Sequence, residues 1–268
     1  MRHLIATRWL SPALGLTLGM TLGVGALQAQ PVQTGFLDRT ITAEGRERRY
    51  QIYVPADYSA DKAWPVILFL HGAGERGEDG REQSAVGLGP AIRKNPARFP
   101  AIVVFPQARP DTQWVGAEAD LALAALDKTL GEYRGDPNRI YLTGMSMGGH
   151  GTWHLAYRET KRFAAVAPIC GWIKGRPGSP LGAPAVPFDQ GTALPTMALR
   201  LAKTPVWIFH GDQDPLVPVG ASREAAEALR AIGAPVQYTE YPGVGHNAWD
   251  ATYGSAAFIQ WLFAQKRP

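Results

Sequence analysis

Short apolar runs that end in glycine- or proline-bearing loops recur along this chain, and they restrict its fold more tightly than any other feature. They read "VILFL" at 66–70, "AIVVF" at 101–105, "RIYLT" at 139–143, "FAAVAPI" at 163–169 and "PVWIF" at 205–209, with a more amphipathic "VQYTEY" at 236–241. Most lack the strict alternation of a half-solvated strand, and a near-continuous apolar run suits a parallel strand covered on both faces. Helical periodicity fills the intervals. Leu123, Leu126 and Leu130 share one face of 117–131. Across 222–232, Ala225, Leu229 and Ile232 align, Ser222 is placed to cap the start, and Gly233 and Pro235 end the pattern. Phe258, Trp261 and Leu262 give a last helix its apolar face, and residues 36–54 read as an antiparallel pair of strands. The expectation is an α/β fold: a mostly parallel central sheet flanked by helices, with antiparallel N-terminal strands and its chemistry at the carboxyl ends of the strands.

The first residues belong to a different class of segment. Arg2, His3 and Arg8 precede the apolar run "LSPALGLTLGMTLGVGAL", and "LQAQ" then supplies a small residue, Ala29, at a cleavage position. That order predicts a secretory signal peptide over 1–29 and a periplasmic or secreted protein; no basic stop-transfer cluster follows, so no stable membrane anchor is expected. Residues 30–268 then suit one large α/β domain. The formal charge of +4 falls to +2 once Arg2 and Arg8 are removed, an excess too small and dispersed to indicate nucleic acid. Cys170 is the only cysteine, so an internal disulfide is excluded; following "AAVAP", it reads as a buried structural thiol. The Pro/Gly-rich stretch 171–195 is too long for an ordinary connection and reads as an insertion, a candidate flap over the functional site.

The chemistry centres on "YLTGMSMGGHGTW" at 141–153, where Ser146 stands in Gly-x-Ser-x-Gly between an apolar run and a helical pattern. A sharp strand-to-helix turn points such a serine hydroxyl away from the sheet and aims the next backbone N–H, that of Met147, into the same space. A free hydroxyl is a poor nucleophile and needs a base oriented by a third group, in the order serine, acid, histidine on such a sheet. "FHGDQDPLVP" at 209–218 and "YPGVGHNAWD" at 241–250 supply them. His246 in its glycine-flanked loop is the base. His150 and His154 on the serine's own helix read as packed or solvated, and His71 and His210, each closing a strand before a glycine, as makers of structural hydrogen bonds. Asp212 and Asp214 are both placed at the strand end, and spacing does not choose between them. The early N–H groups of "FLHGAGERGEDG" at 69–80 face the serine as a second oxyanion donor. That loop lacks the Lys-Ser/Thr ending of a P-loop and the spacing of a dinucleotide fingerprint, so no nucleotide cofactor is indicated. No histidine pair and carboxylate fall at metal-ligand spacing.

These motifs, "LFLHGAGERG", "DPNRIYLTGMSMGGHGTW", "PVWIFHGDQDPLVPV" and "GVGHNAWDATY", resemble the α/β-hydrolase superfamily over roughly 45–265. More narrowly the chain is similar to the exported serine esterase and predicted-peptidase branch related to prolyl oligopeptidase, dienelactone hydrolase and feruloyl esterase domains. The resemblance implies a Ser146–Asp214–His246 triad, because the acid in that group is the second aspartate of HG-x-x-D-x-x-VP. It also implies that Ala73, after His-Gly, shares the oxyanion hole with Met147. Dienelactone hydrolases use a cysteine nucleophile, and serine at 146 departs from that activity; the insertion at 171–195 is a second departure.

The implied function is hydrolysis of carboxylic esters through an acyl-enzyme, without a cofactor, on a small-molecule or polymer-derived ester such as an aryl, acetyl or polyester substrate. Trp114, Trp172 and Trp249 follow strands on the reactive side and are expected to bind substrate. The alternatives are a serine peptidase of prolyl-oligopeptidase type, disfavoured because the chain has no room for the large extra domain of those enzymes, and a catalytically silent hydrolase fold used for binding.

Overall fold

The computed structural model describes Met1, residues 32–187 and residues 191–267, so the leader expected over 1–29 lies, apart from Met1, outside the described residues. Within the unit Gln33–Pro268, the chain opens with β1 (Gly35–Ala43) and β2 (Arg46–Val54). Glu44 and Gly45 join them, both at positive φ (51° and 72°), which suits the right-handed twist of a two-residue hairpin. There follow β3 (Trp64–Leu70), α1 (Leu88–Lys94), β4 (Ile102–Pro106), α2 (Ala117–Glu132), β5 (Gly135–Met145), α3 (Met147–Arg158), β6 (Ala165–Ile169), α4 (Ala193–Arg200), β7 (Val206–Gly211), α5 (Gly220–Ala231), β8 (Val236–Tyr241), α6 (Trp249–Gly254) and α7 (Ala256–Ala264).

One sheet of eight strands results, in the order β1-β2-β4-β3-β5-β6-β7-β8. The β1–β2 and β2–β4 pairs are antiparallel; every later pair is parallel. The apolar runs are near-continuous because both faces are covered. Val66, Leu68 and Leu70 of β3 join one core with Ala122 and Leu126 of α2, Trp153 of α3 and Leu229 of α5. Ile67 and Phe69, one residue out of phase, join the other with Ile92 of α1, Tyr253 of α6 and Phe258 of α7. Fully burying each such side chain stabilises the fold by about 1.5–3 kcal/mol.

One local expectation is corrected. Ser222 does not cap α5, which begins two residues earlier at Gly220; its hydroxyl is turned inward instead. The stretch expected as an insertion over 171–195 runs into α4, which opens at Ala193. Among the described residues, no helix is long and apolar enough to cross a membrane.

Candidate active site

At the carboxyl end of β5 the chain turns into α3 within one residue. Ser146 sits there at φ 55° and ψ −117°, a region that costs a non-glycine residue about 1–3 kcal/mol and that the surroundings must impose. Small neighbours make the turn possible: a Cβ on Gly148 would lie 1.9 Å from the carbonyl oxygen of Leu70, and one on Gly144 would lie 2.4 Å from that of Gly148. The serine is fixed by its N–H to the Ile169 carbonyl (2.8 Å), and its own carbonyl accepts the N–H of His150 (3.0 Å). Its side chain therefore stands at the N-terminus of a twelve-residue helix, where partial positive charge gathers.

Ser146 Oγ is 2.8 Å from His246 Nε2, and His246 Nδ1 is 2.6 Å from Asp214 Oδ2. Residues 100 and 32 positions apart in sequence thus form one chain of hydrogen bonds. The His246 side chain is 16% exposed, whereas that of Asp214 is fully buried. Burial alone would raise the Asp214 carboxyl; hydrogen bonds from His210, His246 and the backbone N–H groups of Val217 and Leu216 outweigh it and hold the group well below the usual carboxylate range. The rival Asp212 takes no part in this chain: its Oδ1 accepts the N–H of Gly243 (2.7 Å), tying down the loop that carries His246.

The strand next to β5 brings the second backbone element. Gly72, at the end of β3, lies against the serine, and a Cβ on it would come 3.7 Å from Ser146 Cβ. The peptide joining Gly72 to Ala73 is held by its carbonyl, 2.6 Å from His71 Nδ1. His71 Nε2 accepts the N–H of Ala108 (3.0 Å), so Nδ1 must be the protonated nitrogen and the donor to Gly72. Burial pushes His71 down to about 4, which keeps the ring in that neutral form. Arg76 Nε donates to the carbonyl of Ala73 (2.9 Å) on the following peptide. The Ala73 N–H is thereby oriented from both sides.

Of the three tryptophans expected at the substrate surface, Trp114 is a correction. It has no exposure, and its indole N–H donates to the carbonyl of His71 (3.0 Å) while its ring meets the His71 ring edge-on. An indole in "DTQW" can pack beneath a loop as readily as on it, and here it braces the loop after β3 from below. Trp172 is 3% exposed, stacks on His150 (4.8 Å between ring centres) and lines a small cavity of about 150 Å³ with Ile173, Leu194, Val217 and Pro218. Trp249 is partly exposed and presents its ring edge-on to His246 (5.4 Å).

Residues 171–187 fold back on themselves, with Ala185 N–H to the Ile173 carbonyl (2.9 Å) and Arg176 N–H to the Gly182 carbonyl (3.0 Å). This tongue reaches two loops of the reactive rim. Gln113 Nε2, after β4, donates to the Pro180 carbonyl (3.3 Å), and Arg176 donates to the Leu216 carbonyl (2.8 Å) in the acid loop. His150 and His154 face the carbonyls of Trp172 and Ala185 at 3.1 and 2.7 Å, so both bind the tongue to α3 as packed helix residues.

Cys170 is buried, its thiol pushed up to about 12 first by burial and then by the Asp214 charge, and its Sγ lies 3.3 Å from the His246 carbonyl. Donor atoms of Cys170, His210 and Asp214 come within 4.8 Å of one another; Cys170 Sγ faces the His246 carbonyl, and His210 Nε2 faces Asp214 Oδ2 and the Val217 carbonyl. Sequence reading gave His71 and His210 only generic structural bonds. The repeated His-Gly at two strand ends was the available signal that both face the reactive rim.

Comparison with known proteins finds esterases among the similar chains. A structure described as a thermostable esterase superposes with a TM-score of 0.74 at 33% identity, covering 87% of this chain and 63% of that one. A ferulic acid esterase superposes with a TM-score of 0.69 at 19% identity, covering 87% and 100%, and shows the shared fold. Acyl-protein thioesterase 1 of Gibberella zeae is 31% identical over 112 residues, 42% of this chain and 43% of the relative. The chain spans about half the length of the curated relatives it matches (53% and 43%). The model of the dienelactone hydrolase family matches residues 112–255, more than half of the chain and a span that includes Ser146, Asp214 and His246, and the chain belongs to that family.

Proposed function

We propose that the protein is a serine esterase that cleaves carboxylic esters by acyl transfer. One observation carries the reading: the imidazole of His246 lies 2.8 Å from the Ser146 hydroxyl on one side and 2.6 Å from the Asp214 carboxylate on the other. His246 Nε2 takes the Ser146 proton as Oγ bonds to the ester carbonyl carbon, and Asp214 holds the ring and stabilises its charge. The oxyanion is received by the N–H groups of Met147 and Ala73. Collapse breaks the bond to the leaving oxygen, which takes the proton back from His246. Water, deprotonated by the same nitrogen, then attacks the acyl-enzyme and releases the acid.

The substrate is read as an aryl, acetyl or polyester-type ester met outside the cytoplasm, after export directed by residues 1–29. Trp249 beside the base supports an aromatic or flat group there, and the tongue at 171–187 is read as a wall of the substrate site. Ser146→Ala should lower p-nitrophenyl acetate turnover by ~10⁴-fold or more with melting unchanged, and a fluorophosphonate should label Ser146 alone. Ordinary kinetics in Ser146→Ala, or labelling at another residue, would remove the proposal. A panel of p-nitrophenyl acyl esters, methyl hydroxycinnamates and aminoacyl-proline amides ranks the substrates, and faster amide cleavage would turn the reading to a peptidase.

A further inference from the structure

The acid of the triad is gripped by a second imidazole. His210 Nε2 lies 3.1 Å from Asp214 Oδ2, the same oxygen that meets His246 Nδ1 at 2.6 Å, and 3.0 Å from the carbonyl oxygen of Val217. Two oxygens that accept face this nitrogen, so it carries a hydrogen in either protonation state of the ring. The other nitrogen, Nδ1, is 2.7 Å from Ser222 Oγ on α5. His210, the Asp214 side chain and Ser222 are all buried. The remaining Asp214 oxygen, Oδ1, accepts the N–H groups of Leu216 and Val217 at 2.8 and 2.9 Å.

The charged and titratable groups around this pair are few. The Cys170 thiol stands beside it at the end of β6. Glu240 of β8 is engaged by Arg223 of α5 and by Tyr238. The Arg176 guanidinium of the tongue is spent on the Leu216 carbonyl. None of these reaches Asp214 Oδ2 with a second N–H; His210 does.

A triad needs one donor on its carboxylate, and a second donor on the same oxygen has two effects. It fixes the carboxylate plane through a ring that is itself pinned to α5 and to the Val217 carbonyl. It also draws off part of the charge that would otherwise stabilise the His246 imidazolium. We propose that His210 is a positioning residue that holds the Asp214 carboxylate and, by sharing Oδ2, limits how strongly the acid favours the protonated form of His246. The base then stays neutral, and able to accept the serine proton, to lower pH than a singly bonded acid would allow. This inference rests on the reading of His246 as the general base.

The test is the titration of His246, followed by NMR in protein carrying ¹⁵N-histidine, beside the pH dependence of kcat/KM for p-nitrophenyl acetate. In His210→Phe, which keeps a ring but no donor, His246 should titrate higher by about half a pH unit or more, and the acid limb of kcat/KM should move up with it. Turnover at the optimum should fall about 10- to 100-fold, the loss expected for one hydrogen bond to a charged group. His210→Gln, whose amide nitrogen replaces the Nε2 donor, should bring both back towards wild type. Ser222→Ala, a milder change that frees the ring at Nδ1, should shift His246 the same way by less, and decides the matter if His210→Phe does not fold. A titration of His246 unmoved in both His210→Phe and Ser222→Ala, whatever their activity, overturns the proposal and leaves His210 as packing. Because the NMR titration needs no turnover, an inactive wild type with the expected shift would sink the esterase reading while leaving the coupling of the two histidines standing.

Discussion

His71 at the end of β3 and His210 at the end of β7 stand in the same setting: a strand-terminal histidine, followed by glycine, with no exposure to solvent. Their rings carry opposite tautomers. The Ala108 N–H points at His71 Nε2, so His71 donates from Nδ1 to the Gly72 carbonyl and governs a backbone amide. At His210, two oxygens point at Nε2, so that nitrogen donates and the ring governs a carboxylate. A His-Gly dipeptide brings an imidazole to the reactive rim; the chain segment that arrives opposite decides which half of the chemistry it serves. One side is thereby built on a backbone peptide held by His71, and the acid side on an oxygen that two imidazoles share.

Between these two histidines, the larger expected effect breaks the His71 half. His71→Leu strands the Gly72 carbonyl and the Ala108 N–H and releases the Ala73 amide, and kcat for p-nitrophenyl acetate should fall by ~10²–10³-fold, as for loss of an oxyanion donor. KM should barely move, because the contact matters chiefly in the transition state. A loss of similar size in KM instead would mean that the loop only shapes the ground-state site.

A second test uses pH. His71 and His150 are both pushed down to about 4 by burial from an ordinary value of 6.5. Below pH 6.5 the unfolded chain takes up protons that the folded chain refuses, so the stability these rings supply is complete above pH 6.5 and is lost as pH falls to about 4. Each ring accounts for roughly 3 kcal/mol of that loss, from 1.36 kcal/mol per pH unit. Urea melts at pH 7, 5.5 and 4 should show the decline, and His71→Gln should make it shallower; an identical slope in that variant would show that other groups govern acid unfolding.

The smallest effect concerns Trp249, the indole that lies open beside His246. Trp249→Ala should raise KM for methyl hydroxycinnamates by about 3- to 10-fold, the range expected for ~1 kcal/mol of lost aromatic contact, and leave p-nitrophenyl acetate nearly unchanged. Equal loss on both esters would mean that the ring serves His246 and not the substrate.

Much of this was legible in the chain. The β5 strand, the glycines around Ser146 and the order of serine, acid and histidine follow from local rules: a sharp turn needs small residues, and a parallel sheet buried on both faces needs continuous apolar runs. The antiparallel pair at 36–54 and the last helix were equally plain. Trp114 was misplaced because an indole after a strand suits either face of a loop, and only the hydrogen bond to the His71 carbonyl tells them apart. Ser222 was misplaced because a serine at a helix start suits a cap, whereas here its hydroxyl faces an imidazole brought by another strand. The choice of Asp214 over Asp212 rested on family resemblance; in three dimensions the two carboxylates part, one to His246 and one to the Gly243 N–H.

Residue order alone determined the layered sheet, the turn that exposes Ser146 and the types of side chain available for proton transfer, since these depend on periodicity and on the steric limits of a few neighbouring residues. Tertiary structure alone decided which acid meets His246, which indole is covered and which histidine fixes an amide or a carboxylate. Those outcomes depend on contacts between segments far apart in sequence, where a hydrogen bond is made or lost over less than an ångström.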